Sequence, residues 1–536
     1  MKLNKDALKD RAAWEKVGFS LPLYDRDAVI AKTLAAPEWI HFGAGNIFRA
    51  FPAAVHQELL DQALVSTGII VAEGFDYEII KKAYTPFDNL SALVILKADG
   101  TIEKKIVASV VESLVADSLS ADWNRLVSIF RSPTLKMASF TITEKGYSLT
   151  GSDGKLLADV AADYAGGPGQ PKNIMAKLTA LLLQRYLNGG VPLAVVSMDN
   201  CSHNGTKLFS AVATVAREWV SRGFADTHFV SWLENPAKVS FPWSMIDKIT
   251  PRPDESVRKM LGDSGFESTD IIVTSKNTWT SAFVNAEEAQ YLIIEDLFPN
   301  GRPPLEKGGV IFTDRNTVDR VEKMKVCTCL NPLHTSLAIF GCLLGYTSIH
   351  REMSDPQLRS LVEKIGYQEG LPVVVDPLII KPEDFIREVL TVRFPNPFMP
   401  DTPQRIATDT SQKLPIRFGE TVKAYLAHPE LDVASLECIP LVFAGWCRYL
   451  MALDDAGSPF EPSPDPLLEK SRACVAGIRL GDNGPFHVAL QPLLSDASIF
   501  GVDLYQAGLG EKVEAYFMRL VAGPGAVRKT LVECLG

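Results

Sequence analysis

Basic residues do not dominate this chain. Fifty-four Lys and Arg stand against 64 Asp and Glu, a formal net charge of −10. Nucleic-acid and anionic-membrane binders need a basic face, so neither nucleic acid nor membrane is expected as a partner. A local basic pocket for a small anion stays open. No apolar run reaches the ~20 residues that span a bilayer. The longest uncharged run, TSLAIFGCLLGYTSI at 335–349, reads as a buried core helix. The opening MKLNKDALKDRAAW is polar where a secretory signal would be apolar. Eight cysteines are scattered, and Cys327 and Cys329 stand one residue apart, poor spacing for a zinc knuckle. No metal is expected, and free thiols in a reducing cytoplasm are. Internal repeats and low-complexity tracts are missing as well.

With 536 residues, 46% of them hydrophobic, the chain is long enough for two to four domains, each with its own core. In the first half, apolar runs (TGIIVAEGF, LKMASFTIT, VPLAVVSMDN) alternate with helical patterns (FRAFPAAVHQELLDQAL, PKNIMAKLTALLLQRYLNGG). Such alternation implies a mostly parallel sheet with helices on both faces. The Pro- and Gly-dense EDLFPNGRPPLEKGG at 295–309 reads as a connection, and most segments after it look helical. An α/β domain over 1–308 followed by a helical domain over 309–536 is expected.

The stretch HFGAGNIFRAF, residues 41–51, reads as a strand, a tight turn and a helix start. Gly43 and Gly45 suit the close approach of a pyrophosphate to free helix N–H groups. The third glycine of the usual fingerprint is missing, and Phe48 stands there. The next strand ends with Glu73 and Asp76, where an acid would meet the adenosine ribose and disfavour a 2′-phosphate. Asp76 serves equally well as a cap for YEIIKKAY. Tyr77 and Lys81 have the Y-x-x-x-K spacing of short-chain dehydrogenases, but at the adenosine end; a solvated helix face explains them better.

Three polar clusters remain. TITEKGY places Glu144, and VVSMDNCSHNG places Asp199, Asn200 and Asn204, at strand ends, where open parallel sheets bind ligands; turn capping is the plainer role. In MKVCTCLNPLHTSLAIFG, Pro332 suits a first helical turn, with Asn331 as its N-cap. His334 lies on the same side of that helix start, as a structural or a functional residue. Lys325 sits in an apolar setting, and an amine withheld from water gives up its proton more readily.

HFGAGNIFRAF, TITEKGY, SMDN, FPWSMIDKITP (241–251), LFPNGRPP, K…LNPLH and RIATDTSQKLP (405–415) follow one another in the order found in the polyol-specific long-chain dehydrogenase/reductase family. The chain resembles that family over most of its length, from about residue 38 to 420. The resemblance implies a Rossmann-type NAD-binding N-terminal domain, a mostly α-helical C-terminal substrate and catalytic domain, and metal-independent hydride transfer with NAD as cofactor. It implies a glycine loop at Gly43, Gly45, Asn46 and Arg49, the NAD-selecting acid at Asp76, and Glu144 near the cofactor. Lys325 matches the acid/base, Asn200 and Asn331 the amides that bond the reacting oxygen, and His334 the residue that orients the substrate. Asp247, Arg405 and Lys413 match substrate-binding positions.

The family commonly has four residues between lysine and asparagine. VCTCL makes five, which on a continuous helix would rotate the lysine by about 100°. A non-helical segment before Pro332 is expected to absorb the change, with Lys323 as the less fitting substitute. Within the family the chain is most similar to the fructuronate reductases, which implies reduction of D-fructuronate to D-mannonate in hexuronate metabolism, by a monomer or small homo-oligomer. Oxidation of an uncharged polyol, mannitol or arabinitol, is the alternative. A zinc alcohol dehydrogenase lacks its ligand cluster, and a regulatory NAD-binding protein would not need the Lys–Asn–His set.

Overall fold

The computed structural model describes residues 1–536. The chain divides into two compact units, Met1–Lys97 with Thr101–Asp319, and Ala98–Gly100 with Arg320–Gly536.

In the first unit six strands form a wholly parallel sheet. They are β1 (Trp39–Phe42), β2 (Ile69–Glu73), β3 (Val110–Val115), β4 (Met137–Phe140), β5 (Leu193–Ser197) and β6 (Val239–Ser240). They lie side by side as β3-β2-β1-β4-β5-β6. That is the doubly wound order of Rossmann-type folds, with its switch point between β1 and β4. Ile40, Phe42, Ile70, Phe140 and Val195 share one core with the helices Asp122–Arg131, Ile174–Leu187 and Asn204–Ser221. Trp39, Val71, Met137 and Val196 share another with the helix Pro52–Asp61. A sheet covered on both faces selects apolar residues at most positions, which is why these strands show no polar alternation.

The unit also holds a mixed four-stranded sheet and a three-stranded sheet in which Ser244–Asp247 runs antiparallel to Tyr291–Glu295. The helix expected across NIFRAFPAAVHQELL is broken. Asn46–Ala50 and Pro52–Asp61 meet at Phe51, whose φ of −128° is not helical. Pro52 has no N–H to continue the ladder.

A buried polar chain ties β1 to β4. Trp39 Nε1 donates to Ser139 Oγ at 2.7 Å, and Ser139 Oγ lies 2.7 Å from His41 Nδ1. His41 Nε2 lies 2.8 Å from Thr141 Oγ1. With the ring neutral and its proton on Nε2, Ser139, His41 and Thr141 each accept and donate in turn. Burial holds His41 down to about 3. His56, buried edge-on to Trp39 and 2.7 Å from the Thr67 carbonyl, is held by burial at about 4.

The second unit is mostly helical. Its helices Asn331–Leu343 and Cys438–Tyr449 pack on each other, and every residue of the latter is buried. By length and composition alone the helical stretch Arg315–Leu343 could cross a membrane, but 78% of its apolar window is buried in the protein. Four helices widen into π-turns, at Lys325–Cys329, Lys364–Gly370, Val389–Arg393 and Pro415–Gly419. Such turns use i to i+5 bonds and concentrate at functional sites.

The neutral histidines make stability depend on pH. The unfolded chain protonates them near pH 6.5 and the folded chain does not until about pH 3 to 4. Their contribution is therefore complete above pH 6.5 and is lost as the pH falls toward 4. Unfolding followed from pH 7 to 4 is expected to show His56 alone contributing a loss of about 3 kcal/mol. His56→Gln should flatten the profile by that amount; parallel profiles for the two proteins would contradict this.

Candidate active site

At the end of β1, Gly43 has φ of 105°, and a Cβ on it would stand 2.1 Å from the Thr141 carbonyl oxygen. Only glycine lets β1 and the end of β4 approach this closely. Gly45 differs: its φ is −79° and nothing lies within 4 Å of where a Cβ would be. The helix Asn46–Ala50 begins there with no side chain on its first N–H groups. Phe48, in place of the third glycine, is wholly buried and stacks on His41 with ring centroids 4.1 Å apart. Ring stacking thus replaces the close helix–strand contact that a glycine would permit.

Both oxygens of buried Glu73 are taken by main-chain N–H groups, of Ala44 at 2.8 Å and of Phe75 and Asp76. Glu73 therefore holds the glycine turn. Asp76 is 2% exposed; its Oδ2 accepts from Thr274 Oγ1 at 2.6 Å, while Oδ1 takes no hydrogen bond from the chain. Arg49 is buried, and its guanidinium donates to the Ser281 carbonyl, Thr280 Oγ1 and Asn46 Oδ1. Those bonds tie the helix start to the segment Thr280–Ser281. Tyr77 accepts from Lys177, and Lys81 is exposed.

The motifs TITEKGY and SMDN meet through Asp199. Its carboxylate accepts from the N–H groups of Ile142 and Thr143 at 3.0 and 2.7 Å and from the Tyr147 hydroxyl. This clamp holds Thr143 at a φ of 64°, a costly position for a β-branched residue. Asn204 is buried and bonds Ser244 and the Asp199 carbonyl. Asp199 and Asn204 thus shape the loop, whereas Asn200 is exposed on it. Glu144 is exposed in a 3-10 turn beyond the strand and pairs with Lys207. Asp247 ends Ser244–Asp247 and is buried.

In the second unit Lys325 is 3% exposed and opens a π-turn, closed by a 3.1 Å bond from the Leu330 N–H to its carbonyl. Where the sequence suggests a non-helical segment, the structure has this wider turn. The turn holds one residue more than an α-helical turn would. Pro332 follows in the first turn of the helix Asn331–Leu343, where its missing N–H is tolerated. Leu330 is the cap and Asn331 the first helical residue, against the expectation that Asn331 caps. No hydrogen bond within the chain engages the Asn331 amide.

One helical turn on, burial lowers His334 to about 4, helped by Arg417, Arg405 and Arg393 and opposed by Asp401. Its Nε2 is 3.7 Å from Asp401 Oδ2, too far for a hydrogen bond, and has no other partner. Its ring leans on Phe394. Arg405 pairs with Asp401. Lys413 donates to the Ile406 and Thr408 carbonyls, and burial, then Arg417 and Arg405, pull it to about 8. The structure thus gathers Asn331, His334, Arg405 and Lys413 in one place. It adds Arg393, Asp401 and Arg417, which the sequence analysis passed over. The i, i+4 spacings Asp401–Arg405 and Lys413–Arg417 were the signal available.

Two family models match, the mannitol dehydrogenase Rossmann domain over residues 37–307 and the mannitol dehydrogenase C-terminal domain over 317–520. The chain belongs to the mannitol dehydrogenase family. Its family relatives include the D-mannonate oxidoreductase of Thermotoga maritima, 54% identical over all of this chain and 99% of that protein. The mannitol 2-dehydrogenase of Pyrenophora tritici-repentis is 31% identical, over 91% of this chain and 79% of that protein. The Pseudomonas fluorescens mannitol 2-dehydrogenase in ternary complex with NAD and D-mannitol superposes with a TM-score of 0.70 at 27% identity, covering 99% of both chains. A substrate-free D-sorbitol dehydrogenase gives 0.79 at 25% identity, over 99% of this chain and all of the other.

The two glycines of the turn are expected to fail differently. Gly43→Ala should lower the thermal midpoint by several degrees, because its Cβ meets a carbonyl; Gly45→Ala should leave it within about a degree of wild type. Equal midpoints for both variants would contradict the close approach of β1 and β4.

Proposed function

We propose that this mannitol dehydrogenase family member is an NAD-linked oxidoreductase that interconverts D-fructuronate and D-mannonate. The observation that carries the reading is full-length likeness to a D-mannonate oxidoreductase at 54% identity, against 31% for the mannitol 2-dehydrogenase. The surroundings of His334 agree, since three arginines and Lys413 suit a sugar acid better than an uncharged polyol.

The first unit fits NAD. Gly45 leaves open space before uncapped helix N–H groups, which suits a pyrophosphate. The unengaged Oδ1 of Asp76 suits a ribose hydroxyl and would repel a 2′-phosphate. NAD, when bound, supplies hydride transfer to and from the substrate carbon.

The chain's own residues handle the oxygen. Lys325 gives its proton to the carbonyl oxygen on reduction and takes it back on oxidation. The Asn331 amide donates to that oxygen as negative charge builds, a stabilisation made stronger in a site that excludes water. His334, held neutral by burial, orients a neighbouring hydroxyl through Nε2. Arg405 and Lys413 border the substrate. A cytoplasmic location fits the eight free cysteines.

Lys325→Ala tests the assignment. Turnover of D-fructuronate should fall by about a thousandfold or more, the order expected for loss of acid/base catalysis, while NADH affinity by fluorescence titration stays within about threefold. A variant turning over at near the wild-type rate would remove Lys325 from the mechanism.

A further inference from the structure

We propose that Arg417 holds the carboxylate of the substrate, and so sets the preference for a sugar acid over an uncharged sugar. The inference rests on the hexuronate reading above and names the group that performs it.

Half-buried Arg417 can be compared with two buried arginines, Arg185 and Arg448. Arg185 sends its guanidinium to five main-chain carbonyls, those of Phe130, Ser132, Leu135, Val191 and Pro192. Arg448 sends its own to three, of Leu520, Leu453 and Asp454. Both are saturated structural ties. Arg417 uses only Nη1, on Thr335 Oγ1 at 2.6 Å, out of five N–H donors. No carboxylate of the chain pairs with it, and burial alone pulls it down to about 10. The guanidinium is half-buried, so its remaining donors are within reach of an entering anion, and a partly desolvated site strengthens the pairing. Its planar fork matches a carboxylate through two parallel bonds, which an uncharged hydroxymethyl group cannot offer.

The surroundings place those free donors at the site. Thr335, which fixes the guanidinium, is wholly buried and directly follows His334. The π-turn Pro415–Gly419, which carries Arg417, packs against the π-turn Lys325–Cys329. His334 Nε2, unpartnered and buried, stands within reach of the same charges. The other two candidates are occupied: Arg405 is neutralised by Asp401, and Lys413 is spent on two carbonyls. A substrate anchored by its acid end at Arg417 leaves its hydroxyls to His334 and Asn331.

The test is kcat/KM for D-fructuronate and for D-fructose, read by NADH oxidation, in wild type, Arg417→Gln, Arg417→Lys and Arg405→Gln. Thermal midpoint and NADH titration are run on each variant as controls for folding. Arg417→Gln should lower the value for fructuronate at least a hundredfold, mainly through KM, and shift the fructuronate-to-fructose ratio by a similar factor. Arg417→Lys, which keeps the charge and loses the fork, should fall between; if the glutamine variant does not fold, the fructuronate KM of Arg417→Lys decides the matter, expected at least tenfold above wild type. Arg405→Gln should cost less than tenfold. Loss of less than threefold in Arg417→Gln, or a larger loss in Arg405→Gln, overturns the proposal alone. A wild type that reduced fructose but ignored fructuronate would overturn the hexuronate reading and this proposal with it.

Discussion

The hydrogen bond from the Leu330 N–H to the Lys325 carbonyl closes a turn one residue wider than an α-helix allows. On that turn depends which way Lys325 faces relative to Asn331 and His334. Pro332 stands just beyond it, in the first turn of the next helix, where a missing N–H leaves the ladder intact. The wider turn confines the disturbance to Lys325–Cys329 and lets Asn331–Leu343 continue as a fully packed core helix. The same device recurs where Arg393 and Arg417 stand. In each case a cationic side chain is presented from a helix without breaking the helix's packing.

The first unit solves a related problem by other means. Its strands must come close enough to form an open ledge at their ends. Gly43 permits the approach, the polar chain through His41 satisfies the buried groups beneath it, and Glu73 holds the turn from the side. Phe48 against His41 shows that the three-glycine fingerprint is one way of packing a helix on a strand, and ring stacking is another. Arg49 and Asp199 belong to this scaffold as well, for their hydrogen bonds run to neighbouring loops.

The parallel sheet and the helical second half were legible because burial on two faces and on one stripe leave different periodicities. The π-turns were not, since one residue added to a turn leaves no trace in a hydrophobic pattern that continues on either side. The Asp76–Thr274 bond joins residues far apart in the chain, and nothing local announces it. Arg417 was within reach through its i, i+4 spacing from Lys413, yet only the contrast with Arg185 and Arg448 distinguishes a guanidinium with donors to spare from a structural one.

The account stands on the claim that the π-turn compensates for one added residue. Deleting Val326 tests it most directly, by steady-state turnover of D-fructuronate with NADH and by circular dichroism. If the turn only absorbs an insertion, the shortened segment closes as ordinary α-helix, Lys325 keeps its face, and turnover stays within about tenfold of wild type. A folded deletion variant with turnover reduced by a thousandfold would show that the lysine had swung away, and would contradict the account.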